Sequence, residues 1–580
     1  MANFFLDNQD ILFLFDTLDL AELAGIQELD AEDAGADYAP LDAGDMVDNY
    51  RRILEITGQI AAETLAPNAA DIDREGNTLN DDGTVTLHPK VRENLRRMTQ
   101  ADLMGFTLPR RYGGLNCPSL VYTMATEIVS RADAAFMNLF GLQGIAETIN
   151  NFADAAIKDE VLPRFAEGEV TGAMVLTEPD AGSDLQAVRL RARQDEAGDW
   201  RLSGVKRFIT NGCGEMLLVL ARSEPQVSDG RGLSLFLVER SDRVRVRHLE
   251  EKLGIHGSPT CELVFEDAPA RLIGERRRGL ISYVIALMNG ARVGIAAQSL
   301  GIAEAAYRLA RTYAHTRHQF GGPIEKLPAV ADMLVTMQVD IEAARALTYE
   351  TSRICDLENN NDRILRGTRP LGPDEQKERK QLARSLKRLN GMLTPMSKYR
   401  ASEMCCRVAD TAIQVLGGSG YMRDYAAERY LRDARITTIY EGTSQLQIVA
   451  AIRAVTSGAF ESYATELERF DPGDPVLAEL AARLADGRAR IARAIEFVKQ
   501  KPAAQLDLAA RRLVDAAIAV ICGHLLVRQA ARSERKRHVA ALFARRQMAE
   551  LQADLDIVMA GDLSPVEHYK LLAGPVPTTA

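Results

Sequence analysis

One carboxylate follows a run of Ile, Thr and Tyr residues in the C-terminal half of the chain. The segment RITTIYEGTSQLQ, residues 435–447, places Glu441 between Tyr440 and Gly442. A glutamate in this setting is either a solvated turn residue or an acid whose affinity for a proton is used in a reaction, because burial disfavours the ionised form and makes the carboxylate a stronger base. The segment alone leaves both interpretations open.

A second polar stretch, MVLTEPDAGSD at 174–184, combines a hydroxyl and an acid with turn residues. Thr177 and Glu178 are followed by a proline and by Ala-Gly-Ser-Asp. This composition predicts a tight turn with exposed backbone N–H groups. Such a turn can bind the polar edge of a ring or a phosphate, and the alternative is a plain turn that leads into a strand.

The composition is that of a globular protein built from several structural segments. The chain has 580 residues, of which 46% are hydrophobic and 26% charged, and its net charge is −11. This negative balance argues against nucleic acid as the main partner, since phosphate binding requires a concentrated basic face. The seven cysteines form neither a disulfide framework nor a zinc-spaced array, so we expect no metal site. No Lys or Arg precedes Arg51 and the apolar run Ile11 to Phe15 is short, so we expect a cytoplasmic protein without stable membrane insertion.

Hydrophobic periodicity divides the chain into five parts. Residues 1–50 form an acidic N-terminal arm, 51–170 a helical domain, 171–275 a compact domain of antiparallel strands, 276–455 a helix bundle and 456–580 an appended helical extension. Within these parts, Pro67 is expected to end a helix over 47–67, the polar stretch 358–376 predicts a loop, and the run Ile11 to Phe15 is expected to pack on the body of the protein. The chain neither alternates strand and helix throughout nor contains GxGxxG, which argues against a nicotinamide site of the doubly wound type.

Five motifs follow one another in the order TEPDAGSD, GVKRFITNG, RHQFGGPI, QVLGGSGY and IYEGTSQLQ. Over about residues 50–455 they resemble the acyl-CoA dehydrogenase family of FAD enzymes. The stretch IHGSPTC (255–261) and the C-terminal extension are similar to the larger members, a group that includes 3-methylmercaptopropionyl-CoA dehydrogenases. The fold that this resemblance implies is α+β: an N-terminal helical domain, a central antiparallel β-barrel-like domain, a C-terminal four-helix bundle and an added C-terminal helical domain.

The resemblance assigns flavin contacts to both the sheet and the helical regions. The residues that would hydrogen-bond or cover the isoalloxazine ring are Leu176, Thr177, Phe208, Ile209 and Thr210. Phe208 stands where relatives often have tryptophan, and its alternative role is that of an aromatic in the sheet core. The residues that would contact the rest of FAD are Arg317, Phe320, Gln414, Gly417, Gly418, Thr443 and Gln445. In the family, the Arg/Phe and Gln/Gly-Gly groups reach the FAD of a neighbouring subunit, which implies a homodimer or homotetramer.

The implied reaction is α,β-dehydrogenation of an acyl-CoA to the trans-2-enoyl-CoA. Glu441 would remove the pro-R α-proton while hydride leaves the β-carbon for flavin N5, and the electrons would pass to an electron-transferring flavoprotein. The backbone N–H of Glu441 would polarise the thioester carbonyl. Some branches carry the base at the position of Ala291, where this chain has no carboxylate. The expected substrate contacts are Ser183, Arg292, Tyr440 and Gly442.

Two other functions remain open at this stage. The first is an acyl-CoA oxidase, in which the reduced flavin reacts with oxygen and which also carries extra C-terminal helices. The exact residues of the motifs TEPDAGSD and YEGTSQ favour a dehydrogenase. A non-catalytic scaffold protein on the same fold would use the acidic arm or the extension as binding surfaces. The acyl pocket is expected between residues 131–151 and the helix that contains Met288 to Ala291.

Overall fold

The N-terminal part of the molecule is helical. The computed structural model describes residues 2–28, 40–367 and 369–577. Its first helices are α1 (Gln9–Thr17), α2 (Leu20–Glu28), α3 (Ala43–Ile60), α4 (Ala66–Glu75), α5 (Pro89–Thr99), α6 (Ser119–Ala132), α7 (Ala134–Gly141), α8 (Gly144–Phe152) and α9 (Ala155–Ala166), with a small hairpin of β1 (Thr78–Leu79) and β2 (Val85–Thr86).

The start of the predicted N-terminal arm packs into the core. Asn8 caps α1 by accepting hydrogen bonds from the backbone N–H groups of Asp10 and Ile11. The apolar face of α1 is buried with α3 and α6, which confirms that the run Ile11 to Phe15 packs on the body of the protein. Residues 29–39 of the predicted arm lie outside the described part of the chain.

The prediction that Pro67 ends a helix is wrong. A π-helical turn, Ala61–Leu65, joins α3 directly to α4, and Pro67 lies in the first turn of α4. A proline is accommodated in a first turn because its missing N–H has no intrahelical partner to lose there, and the π-turn shifts the hydrogen-bond register just before it.

The middle of the chain forms a sheet that closes on itself. Its strands are β3 (Gly172–Val175), β4 (Arg191–Gln194), β5 (Trp200–Thr210), β6 (Met216–Arg222), β7 (Leu233–Glu239), β8 (Val244–Leu249) and β9 (Thr260–Ile273). The order is β3-β6-β4-β5-β9-β7, with β8 paired to β9 and β7 paired back to β6. The expected combination of helices with a central barrel-like sheet is therefore confirmed.

The sheet is not wholly antiparallel, as had been expected. Strand β3 pairs with β6 in parallel over four residues, and β4 meets β6 in parallel at Arg191 and Arg222. The remaining pairings are antiparallel. Parallel neighbours need a long connection, and the segments that separate β3 and β4 from β6 provide it.

Helices form most of the rest of the molecule. After a π-helical turn at Gly279–Val284 come α10 (Ile285–Thr316), the hairpin of β10 (His318–Gln319) and β11 (Gly322–Pro323), α11 (Pro328–Arg366), α12 (Pro373–Leu416), α13 (Gly418–Tyr421), α14 (Ala427–Thr437) and α15 (Ser444–Thr456). The helices α10, α11 and α12 pack side by side, and α14 and α15 pack against α12.

The loop predicted over 358–376 is shorter than expected. Helix α11 continues to Arg366 and α12 begins at Pro373. The polar side chains at the end of α11 have partners: the Asn360 amide donates to Gln27 Oε1 at 2.8 Å and the Asn361 amide donates to the Arg379 carbonyl at 3.1 Å. Tertiary hydrogen bonds thus stabilise a helical segment that its composition disfavours.

The C-terminal extension shares its core with the bundle. It contains α16 (Ala459–Leu467), α17 (Pro475–Lys499), α18 (Ala503–Ala530), α19 (Glu534–Ala560), α20 (Ser564–Glu567) and α21 (Tyr569–Ala573). Helix α18 packs against both α11 and α15. Two segments, Gly279–Thr316 and Ala503–Ala530, are long and apolar enough to cross a membrane, and the apolar window of the second is 83% buried in the molecule. High burial is typical of the core helix of a globular protein.

A cluster of buried charges joins five helices. Arg345 on α11 donates to Asp10 on α1 at 2.6 Å, to Glu127 on α6 at 2.6 Å and to Glu304 on α10 at 2.9 Å, and all four side chains are at most 5% exposed. The hydroxyl of Tyr349 also donates to Glu127.

A second cation extends this cluster into the extension. Lys536 on α19 is ion-paired with Asp10 and, at 2.7 Å, with Glu342 of α11. Arg535 pairs with the same glutamate, and Arg308 pairs with Glu304 at 2.6 Å. The buried carboxylates are therefore each matched by a cation, which a buried ionic group requires.

We expect Arg345→Met to destabilise the protein by about 3–5 kcal/mol, because it leaves carboxylates buried without their cation. Urea unfolding followed by circular dichroism measures this change. The matched control is Arg483→Met, which breaks the exposed pair with Glu479 on α17 and should change the unfolding curve little. Equal curves for the two variants would contradict the assignment of a structural role to the cluster.

Candidate active site

Glu441 lies in a left-handed turn between α14 and α15. Its φ is 54° and that of the following Gly442 is 90°. A non-glycine residue at positive φ is strained and persists only where its surroundings hold it. The turn is held by side chains from three helices, which bind its two carbonyl groups.

The hydrogen bonds to these carbonyls come from Arg292, Lys398 and Gln447. The Glu441 carbonyl accepts from Arg292 Nε at 3.4 Å and from the Gln447 amide at 3.1 Å. The Gly442 carbonyl accepts from Lys398 Nζ at 2.8 Å and from the same amide at 2.9 Å. The backbone of the turn is thereby fixed to α10, α12 and α15.

The Glu441 carboxylate itself accepts no hydrogen bond from any described residue. Burial raises its pKa above the usual value for glutamate, while the positive charges of Arg292 and Lys398 act in the opposite direction. Its backbone N–H also donates to no described acceptor. Glu441 thus provides both a partly buried carboxylate and a backbone N–H donor that has no described acceptor.

Tyr440 anchors the turn from the other side. Its hydroxyl donates to Gln298 Oε1 on α10 and to Asn138 Oδ1 on α7, the latter at 3.4 Å. The Asn138 amide in turn donates to the Ser258 hydroxyl at 3.2 Å, which connects the turn to the loop before β9. Burial raises the pKa of Tyr440, so the phenol stays protonated and acts as a donor. Since its hydroxyl is occupied in this way, Tyr440 acts as a support for the turn.

The TEPDAGSD turn is organised around a buried ion pair. Lys206 Nζ on β5 lies 3.0 Å from Glu178 Oε1 and donates to the Leu176 carbonyl at 2.7 Å. Glu178 also accepts from the backbone N–H groups of Arg189 and Leu190. Burial lowers the pKa of Lys206 to about 8, and the charge of Glu178 opposes this shift.

Two threonine hydroxyls near the Lys206–Glu178 pair, at the ends of β3 and β5, have no hydrogen-bond partner among the residues that the structure describes. Neither Thr177 nor Thr210 uses its side-chain hydroxyl in a hydrogen bond within the described part of the chain. Ser183 is exposed on the same turn, and Ile209 is buried.

Phe208 is not a core aromatic. Its φ is 60°, it is 53% exposed, and the Arg207 guanidinium lies over its ring at 4.8 Å from the centroid. The positive φ occurs at a register shift between β5 and β9, where the ladder is interrupted. The alternative interpretation of Phe208 as sheet core is wrong, and the residue presents an aromatic surface beside the two free hydroxyls.

Five of the seven predicted contacts to the dinucleotide part of FAD lie near the β10–β11 hairpin and the end of α12, in a part of the molecule called here the exposed corner. The β10–β11 hairpin carries Arg317 and Phe320, and Tyr313, just before it, donates to Ser419 Oγ at 3.3 Å. The side chain of Phe320 is 92% exposed. The other predicted members of this corner are Gln414, Gly417 and Gly418, all of them exposed.

Among the described residues, this corner makes no direct polar contact with those around Glu441 and Thr177. Within the described chain no hydrogen bond or ion pair connects the two groups. A Cβ added at Gly417 or Gly418 would meet no atom within 4 Å, so these glycines leave open space at the surface. Thr443 caps α15 by accepting from the Leu446 N–H, and Gln445 is exposed beside it.

The residues that the structure describes contain no group of three or more His, Cys, Asp or Glu side chains that could hold a metal ion. His315 instead contacts Glu325 Oε1 at 2.8 Å, and His318 contacts the Thr316 carbonyl at 3.0 Å.

Several residues that build the site were not identified from the sequence. They are Asn138, Lys206, Gln298, Lys398 and Gln447. A signal was present for Lys398: it shares the helical spacing of Ala401, Ser402 and Cys405, which are all buried on one face of α12. A lysine on a face of small residues indicates a buried charge with a specific partner.

The comparisons with known proteins cover most of the chain. Four family models match it: acyl-CoA dehydrogenase N-terminal domain (48–169), middle domain (173–268) and C-terminal domain (278–368 and 376–456), and acyl-CoA dehydrogenase C terminal (456–562). Among curated relatives, a 3-methylmercaptopropionyl-CoA dehydrogenase of Ruegeria pomeroyi is 32% identical over 488 residues, which are 78% of this chain and 79% of the relative.

Solved structures give the same result. An acyl-CoA dehydrogenase from Bacillus anthracis complexed with FAD has a TM-score of 0.75 at 23% identity, with 92% of each chain covered, and it shows the fold including the extension. A chain from the structure described as an electron transferring flavoprotein of Acidaminococcus fermentans has a TM-score of 0.60 at 31% identity and covers 70% of this chain and 98% of its own. The chain therefore belongs to the acyl-CoA dehydrogenase family of oxidoreductases.

Proposed function

We propose that the protein oxidises an acyl-CoA thioester to its trans-2-enoyl-CoA, with Glu441 as the base that takes the α-proton. One observation carries this proposal: burial raises the pKa of the Glu441 carboxylate, and this carboxylate has no hydrogen-bond partner among the described residues. A carboxylate in such a position is free to accept a proton. The solvated turn acid considered from the sequence is not supported, because the turn is held on both carbonyls by buried or half-buried side chains.

The residues present fit a flavin. The free hydroxyls of Thr177 and Thr210, together with the exposed face of Phe208, offer hydrogen-bond donors beside an aromatic surface. Bound FAD would supply the acceptor for the hydride that leaves the substrate β-carbon. The chain itself would orient the flavin ring through these groups, through Leu176, whose carbonyl Lys206 holds, and through Ile209.

The turn geometry supports a role in polarising the substrate as well. Removal of the α-proton places negative charge on the thioester oxygen, and fixed donors at that oxygen lower the barrier. The N–H of Glu441 is unengaged, and its direction is fixed by the left-handed conformation. One residue would thus provide the base and one of the donors to the oxygen.

Arg292 lies beside the base and is itself a proposed contact of the CoA moiety. It donates to Asn289 Oδ1 at 3.1 Å as well as to the Glu441 carbonyl, and burial lowers its pKa. In the proposed complex Arg292 and Ser183 contact the CoA moiety, and the acyl chain lies between α7–α8 and the start of α10. Ala291 supplies no alternative carboxylate there.

We further propose that the active form is at least a homodimer and that electrons pass to an electron-transferring flavoprotein. The exposed corner around Phe320 supports the first part, because Arg317, Gln414, Gly417 and Gly418 are exposed there and no hydrogen bond within the described chain joins them to Thr177 or Glu441. In the dimer this corner would contact the FAD of the neighbouring subunit, with Thr443 and Gln445 beside the dinucleotide. The likeness to a chain from the structure described as an electron transferring flavoprotein of Acidaminococcus fermentans supports the second part.

Replacement of the base tests the mechanism directly. We expect Glu441→Gln to retain FAD but to lower turnover by about 10² to 10⁴-fold, since it removes a general base and keeps the shape of the side chain. Flavin content by absorbance and steady-state rates measure the two effects. Glu403→Gln is the control: this residue accepts a hydrogen bond from Ser444 nearby, and its turnover should stay within a few-fold of the wild type. Normal rates for the Glu441 variant would refute the proposed base.

Anaerobic titration of the flavin tests the reaction type. We expect one class of acyl-CoA in a panel to bleach the flavin absorbance quickly, and the bleached state to persist when air is admitted. Rapid recolouring with formation of peroxide would instead indicate an oxidase. A panel with short, long, branched, cyclic and thioether acyl chains that fails to bleach the flavin would favour the scaffold function.

A further inference from the structure

Lys398 is an unusual buried charge. Three lysines are buried among the described residues: Lys206, Lys398 and Lys536. Lys206 is paired with Glu178 at 3.0 Å and Lys536 with Glu342 at 2.7 Å. Lys398 is 0% exposed and, within the described chain, makes no ion pair; its one hydrogen bond goes to the Gly442 carbonyl at 2.8 Å. A buried ammonium without a carboxylate in contact is costly, so its retention requires a reason.

The charged groups around Lys398 come from three elements. The turn between α14 and α15 contributes Glu441, α10 contributes Arg292, and α12 itself contributes Glu403 and Cys406. Burial lowers the pKa of Lys398 to about 7; the charge of Glu441 opposes this shift and that of Arg292 adds to it. The Glu403 carboxylate is engaged by the Ser444 hydroxyl at 2.6 Å. Of the two carboxylates, Glu441 makes the larger electrostatic contribution to Lys398 and has no hydrogen-bond donor of its own.

We propose that Lys398 is a positioning residue for the reaction: it fixes the Glu441–Gly442 turn and, as an ammonium ion, keeps the Glu441 carboxylate ionised at lower pH than burial alone would allow. This inference rests on the proposed function, in which Glu441 is the base. The charge acts through space, since the contact runs through the Gly442 carbonyl. A base in a water-poor site has to be ionised before the substrate arrives, and the cation favours that form.

Gln447 separates the two effects of Lys398. Its amide donates to the carbonyls of Glu441 and Gly442, so it holds the same turn but carries no charge. A variant of Gln447 therefore reports on turn geometry alone. A variant of Lys398 reports on geometry and charge together.

The experiment compares Lys398→Met, Lys398→Gln and Gln447→Met as full-length holoenzymes. For each, kcat/KM is measured against pH with the acyl-CoA that bleaches the wild-type flavin. The acidic limb of this profile reports ionisation of the base in the free enzyme. Loss of a nearby cation raises the pKa of a carboxylate, so both Lys398 variants should move the acidic limb to higher pH, by roughly one pH unit. Gln447→Met should lower the plateau and leave the position of the limb unchanged.

An unchanged limb in a Lys398 variant that binds FAD normally would overturn the proposal, and so would an equal displacement of the limb in Gln447→Met. Lys398→Gln keeps a donor for the Gly442 carbonyl, so it provides the measurement if Lys398→Met fails to fold. Failure of the proposed function is distinguishable, because it would appear as normal turnover in Glu441→Gln or as a wild-type flavin that no acyl-CoA bleaches.

Discussion

The buried ionic cluster around Arg345 is the interaction on which the arrangement of the helices depends. Its members come from α1, α6, α10, α11 and α19, so a single guanidinium and a single ammonium fix elements from every helical part of the chain. A buried charge tolerates little displacement, because a pair that separates by a few ångströms in a medium of low polarity loses much of its attraction while keeping the cost of dehydration. The helices that carry Arg292 and Lys398, α10 and α12, pack against this cluster's central helix, α11.

The same logic applies on a smaller scale in the site. Lys206 and Lys398 are both buried, and each donates a hydrogen bond to a backbone carbonyl of a turn in the site, Leu176 and Gly442 respectively. In the first case the cation is matched and the turn is a rigid platform. In the second case the Glu441 carboxylate accepts no hydrogen bond from any described residue, which is unfavourable for stability. The strain of the left-handed Glu441 turn is therefore maintained by interactions that lie outside the turn itself.

The order of helices, sheet and helices was predicted from the sequence because it depends on local periodicity, and the proposed role of Glu441 stays a prediction that rests on residue type and on a family resemblance. The sequence did not predict features that depend on distant partners. The parallel pairing of β3 with β6 joins Gly172 to the distant Met216, and the helical residues 358–366 are stabilised by hydrogen bonds to Gln27 and Arg379. The prediction that Pro67 ends a helix was wrong because a π-helical turn just before this proline lets the helix continue. The support of the site by Gln298, Gln447 and Lys398 was missed because a polar residue on a buried helical face identifies no partner by itself.

The position of the cluster also bears on how the chain is made. Near it, Arg532 of the extension donates to the Thr17 carbonyl of α1, a contact between residues 515 positions apart. Ribosomes add on the order of 5–20 residues per second, so the first helix waits for roughly half a minute or longer before the segment that covers it has been synthesised. During that interval the Asp10 carboxylate lacks Lys536, and the apolar faces of α11 and α15 that α18 covers are open to solvent. A product that ends within the extension would therefore keep these apolar faces uncovered and the Asp10 carboxylate without Lys536.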